Sequence, residues 1–305
     1  MQQCDPIVIQ HLTKDYGSER GVFDIDLTIK KGEMMGFVGT NGSGKTTTIR
    51  SILGFIKPTS GKVLVMGKES WKNASEIAHF IGYVPGEIGF PDLKTGTEFI
   101  RSQAGYLGIT DMSYANSLIS TLQLDTRAPL KRMSKGMKQK TALVVALMKD
   151  ADIIILDEPT TGLDPLMRDA FLDIIKQEHK KGKTILMSSH MFNEMEATCD
   201  RVALINNGHI IDVVDMNEIR DRKVKDFKIE FNKESDYLKF KELNYEIIRD
   251  QKKYNQVTVR IDKNQVNKLF LDLKKYDLKF ISEVKYTLEK YFKEILVKKE
   301  NENDK

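Results

Sequence analysis

Gly39, Gly44, Lys45 and Thr46 stand at the spacing Gly-x-x-x-x-Gly-Lys-Thr, the pattern of a loop that closes around a polyphosphate. Glycines at 39, 42 and 44 reach backbone angles closed to other residues. The stretch Gly39, Thr40, Asn41, Gly42, Ser43, Gly44 and onward to Thr47 can therefore turn successive N–H groups inward on an anion. The helix that follows presents its positive end to the same anion. Lys45 supplies a point charge for the outer phosphates, and the Thr46 hydroxyl is placed to ligate a magnesium ion that bridges them.

Three further groups have the right chemistry for such a site. Asp157 and Glu158 follow four consecutive aliphatics, Ile153 to Leu156. Asp157 suits the metal, and Glu158 suits an attacking water whose proton must be accepted. Ser134 is an N-cap candidate, and with the nearby Gly136 N–H it makes a second potential anion site. His190 comes directly after Ser188-Ser189, where a ring N–H can donate to a terminal phosphate. Two cysteines far apart, Cys4 and Cys199, have no metal-ligand spacing and point to a reduced cytosolic setting. His11, His79, His179 and His209 form no zinc-spaced pair and read as surface or packing residues.

These groups require particular elements beneath them. An apolar run ending at Phe37 and Val38, then helical spacing at Ile49, Ile52, Leu53 and Ile56, gives strand, glycine loop, helix. Residues 153–158 read as a strand covered on both faces, as in a parallel sheet, whose carboxyl end is where ligands bind. Residues 184–187 read as another buried strand. Asp164-Pro165 pairs an N-cap with a proline at the first helical position of a helix ending near Gly182. Residues 7–29 are β, with Phe23, Ile25, Leu27 and Ile29 alternating against polar neighbours. Residues 63–66 and 81–84 are further strands, 90–130 a mostly helical insertion, and 202–205 with 209–214 a hairpin about Asn207-Gly208.

The ordered set of the phosphate loop, Met-Ser-Lys-Gly-Met at 133–137, Leu-Asp-Glu-Pro-Thr at 156–160, Gly-Leu-Asp at 162–164 and His190 resembles the ATP-binding cassette (ABC) ATPases over roughly residues 5–215. A GTPase would carry Asn-Lys-x-Asp; the nearest run, Asn232-Lys233-Glu234-Ser235, lacks the aspartate. The resemblance implies an α/β P-loop NTPase fold of ABC type: a mostly parallel sheet, an N-terminal antiparallel β part and a helical insertion. It implies a head-to-tail homodimer closing on two ATP. Each nucleotide would be held by Lys45, Thr46, Asp157, Glu158 and His190 of one copy and by Ser134 and Gly136 of the other. Asp164 would lie at the boundary, and Tyr16 would stack on adenine. Lys45, Glu158 and His190 would be the catalytic groups, with Thr46 and Asp157 holding Mg2+. Two departures stand out. Gly86 occupies the place of the family's usual glutamine, with Glu87 next to it as a substitute metal ligand. Met133 and Lys135 replace the Leu and first Gly of the usual Leu-Ser-Gly-Gly signature, leaving Ser134 and Gly136.

At 305 residues and 30% charged, 40% hydrophobic composition, the chain is an ordinary globular one with room for a large and a small domain. A net charge of +4 is too slight to make nucleic acid the expected partner. No apolar run approaches the roughly 18–20 residues that span a bilayer, and residues 1–6 lack a signal-peptide core. The boundaries expected are 1–218 for the nucleotide-binding domain, 219–225 as linker, 226–298 as an accessory domain and 299–305 as a disordered tail. The accessory segment reads β-α-β-β-α-β, which matches a ferredoxin-like unit, and carries no catalytic constellation. It resembles the C-terminal extension of cassette ATPases that drive bacterial exporters of drugs, peptide antibiotics or polysaccharides. The expected role is the ATPase subunit of an exporter with a separate transmembrane subunit, cytoplasmic and peripheral on the inner face of the cell membrane. The competing role is a soluble cassette ATPase acting on ribosomes or DNA.

Overall fold

Alternation of apolar and polar side chains gives the first strands one buried face. In the computed structural model, which describes residues 4–91 and 94–303, β1 (Ile7–Asp15) pairs antiparallel with β2 (Gly21–Ile29). Their register breaks at bulges where His11 and Asp24 both take a φ of 50°. There Asp24 accepts from the exposed His11 ring, and that bond, with the charges of Asp26 and Asp24, raises the His11 pKa.

The chain then enters β3 (Met34–Val38), every residue of which is buried, and α1 (Lys45–Ile52). β4 (Ser60–Val65) returns antiparallel to β1, and the short β5 (Lys68–Glu69) and α2 (Ala74–Ile77) lead into β6 (Ile81–Val84). The expected helical insertion contains α3 (Gly96–Tyr106) and α4 (Ser113–Thr121), both packed on α5 (Lys135–Met148). Asp92 and Leu93, within that insertion, lie outside the described residues. β7 (Ile153–Asp157), α6 (Pro165–Lys180), β8 (Thr184–Ser189), α7 (Phe192–Thr198), β9 (Arg201–Asn206) and β10 (His209–Asp215) complete the first unit. Asn207 and Gly208 take φ of 45° and 78°, as a two-residue hairpin turn requires.

Two sheets result. One runs β2-β1-β4-β5; the other runs β10-β9-β3-β8-β7-β6, with parallel pairing from β9 through β6. Their facing sides close over α1 on a core that includes Ile25, Phe37, Ile49, Ile155 and Leu186. β3, β7 and β8 are buried along their whole length, which explains why their sequences are aliphatic without alternation. Because β3, β8 and β7 are parallel neighbours, Val38, Ser189 and Asp157 end on one edge. Val38 registers with Ser189, and Asp157 with Ser188.

The chain divides at Val214/Asp215. This lies ahead of the expected linker at 219–225, and those residues are mostly structured. The charged run Arg220 to Lys225 suggested a solvated connection, but Asp215 caps α8 (Met216–Arg220), whose Ile219 is buried, and β11 (Val224–Phe231) begins where Val224 registers with Asp262. There follow α9 (Glu234–Lys241), β12 (Glu246–Gln251), β13 (Gln256–Asp262), α10 (Val266–Leu273), β14 (Leu278–Val284) and α11 (Leu288–Asn303). Helix α11 runs through much of the segment expected to be a disordered tail; residues 304 and 305 lie outside the described ones, as do 1–3 of the amino terminus. The sheet order β12-β13-β11-β14, antiparallel throughout, is that of a split βαβ ferredoxin-like unit. Phe231, Tyr237, Phe240, Val259 and Leu269 form its core.

Within this second unit Asp226 is 4% exposed and accepts both fork N–H groups of Arg260, at 2.9 and 3.1 Å. Burial opposes its charge, but Arg260 and Lys290 outweigh that and hold the carboxyl below its ordinary range. A depressed folded-state pKa gives stability that is present above the unfolded value and lost as pH falls through the folded one. Asp226→Ala should cost about 2 kcal/mol at pH 7, below the figure for a fully buried pair because Arg260 reaches solvent. In urea titrations the gap to the parent should close below about pH 4; a gap undiminished at pH 2 would rule the ion pair out as its cause.

Candidate active site

The phosphate loop is shaped by close approach as well as by turning. A Cβ on Gly39 would stand 2.2 Å from the Ile205 carbonyl oxygen and 2.5 Å from Ser43 Oγ, so only glycine fits against β9. Gly42 and Gly44 have φ of 81° and 110°, the left-handed region that other residues avoid. Lys45 is 6% exposed, and its Nζ donates to the carbonyls of Gly39 at 2.8 Å and Thr40 at 3.2 Å.

On the neighbouring strand end, Glu158 carries a φ of 50°. This conformation is strained for a residue with a Cβ and persists only where its surroundings hold it. Its N–H donates to both Ser188 O and Ser188 Oγ. The carboxylate then sits between two cations or potential cations: Oε1 is 3.4 Å from Lys45 Nζ, and Oε2 is 2.7 Å from His190 Nδ1. Groups from β3–α1, β7 and β8 thus meet at one point, as the parallel strand order demands.

Asp157 is 1% exposed. Ser188 Oγ donates to its Oδ1 at 2.6 Å, while its Oδ2 is buried and accepts no hydrogen bond among the described residues. A buried carboxylate oxygen with spare acceptor capacity suits a hard divalent cation. Gly86 comes close to that oxygen, a Cβ there lying 3.4 Å from it, whereas Glu87 is exposed and does not line the cleft. Tyr83, partly buried on β6, has its pKa pushed up to about 12, first by burial and then by the Asp157 charge, so its phenol stays protonated.

The cleft over the loop has a volume of ≈ 1160 Å³ and is lined by residues 41–47, Glu158 and Tyr16, the last 56% exposed. It also draws in groups that sequence reasoning missed: Arg20 and Phe23 from the β1–β2 hairpin, and Asn207, Gly208 and His209 from the β9–β10 turn. His209, expected on the surface or in packing, stacks on Phe23 with ring centroids 5.5 Å apart. Ser188 was also missed; its only signal was a hydroxyl at the end of an aliphatic run.

Ser134, Gly136 and Asp164 do not line this cleft. Ser134 caps α5 by accepting from Met137 N, and Asp164 caps α6 by accepting from Met167 N. The two caps are neighbours: a Cβ on Gly136 would fall 2.5 Å from the Gly162 carbonyl, and the Lys135 stem lies across Gly162. Ser134 and Asp164 are exposed, together with Lys135.

A family model described as ABC transporter matches residues 22–161. The bacitracin transport ATP-binding protein BcrA of Bacillus licheniformis is 31% identical over 296 residues, covering 93% of this chain and 95% of that one. The chain belongs to the ABC transporter ATP-binding proteins. The Nod factor export ATP-binding protein I of Burkholderia orbicola is 34% identical over 212 residues, 68% of this chain and 69% of that protein. A solved ATP-binding subunit of an ABC transporter superposes with a TM-score of 0.64 at 28% identity, covering 71% of this chain and 92% of that one. The ABC ATPase fold anticipated from the motifs is therefore the fold found. The alignment to the bacitracin protein is too long to stop at Val214 and so extends into the second unit.

If the glycine loop closes on the phosphates, Gly39 leaves it no spare room against β9. Gly39→Ala should weaken binding of a fluorescent ATP analogue by roughly tenfold or more, since the β9 carbonyl that meets the new methyl is fixed in the sheet. Unaltered affinity would mean that the loop does not cradle the nucleotide.

Proposed function

We propose that this ABC protein hydrolyses ATP as a head-to-tail homodimer and thereby drives a separate membrane-spanning export subunit. The observation that carries the catalytic part is the Glu158 carboxylate, held between Lys45 and His190 at the mouth of the phosphate loop. Adenine stacks on Tyr16, and the amides of the loop from Gly39 to Thr47, with Lys45, take the phosphates. Thr46 and the free Oδ2 of Asp157 are the groups that would hold Mg2+, which neutralises phosphate charge when bound. Glu158 orients water and accepts its proton, while the bond between Glu158 and His190 Nδ1 holds the imidazole beside the terminal phosphate.

Ser134, Gly136 and Asp164 reach the nucleotide of a second copy. The exposure of Ser134 and Asp164, and the position of all three off the cleft of their own chain, support that assignment. Among the described residues no helix is long and apolar enough to cross a membrane; relatives named as ATP-binding proteins of transport and export systems support a separate membrane-spanning subunit, with this protein peripheral on the cytoplasmic face. Relatives named for bacitracin transport and Nod factor export favour export over an action on ribosomes or DNA; nucleic acid is not a partner in this reading.

Glu158→Gln should retain ATP affinity and lose steady-state turnover by roughly 10²- to 10⁴-fold. With Mg2+ and ATP it should run as a dimer in light scattering. A Glu158→Gln protein that turns over at the parent rate would remove the assigned base. A parent protein that hydrolyses at full rate as a monomer at every concentration would remove the dimer.

A further inference from the structure

Glu194, on α7, is 2% exposed and, among the described residues, makes no hydrogen bond or ion pair to the groups assigned to ATP. Burying a carboxylate is costly unless its partners are good, and its partners come from three separate segments. Its Oε2 accepts from Thr160 Oγ1 at 3.0 Å and from Ser189 Oγ at 3.1 Å. Its Oε1 faces Arg168 Nε at 3.4 Å.

Each partner sits beside a residue of the proposed mechanism. Thr160 follows Glu158 and Pro159 on the turn where Glu158 is strained. Ser189 precedes His190, and its Oγ also accepts from Met191 N at 2.9 Å, so the same hydroxyl shapes the turn that carries the imidazole. Arg168 lies in the first turn of α6, its N–H bonded to the carbonyl of Asp164. Thr198 Oγ1 donates to the Glu194 carbonyl and anchors the carboxylate's own backbone. One carboxylate oxygen is thus shared by the hydroxyls that flank Glu158 and His190, whose side chains meet at 2.7 Å.

We infer that Glu194 is a positioning residue: it fixes the Glu158–His190 separation and ties both to the helix headed by Asp164, setting the rate of ATP cleavage without contacting ATP. The inference rests on the hydrolytic function proposed above. Misplacement of a reacting group by about 1 Å can cost on the order of 10²-fold in rate, so loss of this anchor should appear in kcat. The phosphate contacts at 41–47 make no bond to Glu194, so ATP affinity should hold.

The test uses the full-length protein with Glu194→Ala, Thr160→Val, Thr160→Ser and Ser189→Ala. Glu194→Ala, Thr160→Val and Ser189→Ala should each lower kcat by roughly tenfold to a hundredfold at little-changed KM for ATP. Thr160→Ser, which keeps the hydroxyl, should rescue the rate. Thr160→Val combined with Glu194→Ala should be no worse than Glu194→Ala alone, because the two remove one connection. A parental kcat for Thr160→Val and Ser189→Ala, a loss confined to KM, or losses that multiply would each overturn the inference. A second measurement is independent of turnover: the His190 ring 15N resonances of the nucleotide-free protein should move in Glu194→Ala and Thr160→Val. Unmoved resonances would overturn the clamp even if ATPase falls. Moved resonances in a protein that never cleaves ATP would refute the proposed function and leave the clamp standing.

Discussion

Three carboxyl-terminal strand ends, those of β3, β7 and β8, are forced onto one edge because the strands are adjacent and parallel. Parallel neighbours cannot be joined by tight turns, so each must be separated by a crossover packed on the sheet. The edge that gathers the strand ends also gathers helix starts and the loops that lead to them. Lys45, Glu158 and His190 are far apart along the chain and within bonding distance in space for this reason alone. The aliphatic content of the three strands is the driving force, since only strands covered on both faces can bury so many consecutive apolar side chains.

Electrostatics at that edge are arranged around acceptors. Glu158 adopts a strained backbone, and Ser188 holds it there through two oxygens while its hydroxyl donates to Asp157. A single serine therefore holds the Asp157 carboxylate and the Glu158 backbone. Asp157 keeps one buried oxygen that accepts no hydrogen bond among the described residues, and Glu158 keeps contact with both Lys45 and His190. The contact to the buried Lys45 is stronger than it would be in bulk solvent, whereas the contact to the half-exposed His190 is screened by water.

The second unit obeys different rules. Its sheet is antiparallel, and its polar groups pair locally, as Asp226 does with Arg260. Its folding is a matter of aromatic packing about Phe231, Tyr237 and Phe240. Charge there does not mark a solvated linker: Val224 and Lys225 belong to a strand, and the preceding helix buries Ile219. Residues 299–303 lie in α11, a charged run being as compatible with a helix as with disorder.

The sequence by itself determined the chemistry that is written in local spacing. The glycine loop, the acidic pair after four aliphatics, the caps at Ser134 and Asp164 and most strand limits depend on residues within a turn of one another, and all could be read from the chain. Only the tertiary structure decided which distant side chains share a contact. That Ser188 serves Asp157, that Glu194 joins Thr160 to Ser189, and that His209 turns into the cleft beside Phe23 depend on strand order and register. Hydroxyls and carboxylates buried one by one leave no periodic mark in a sequence; their partners are chosen by the packing of the whole sheet.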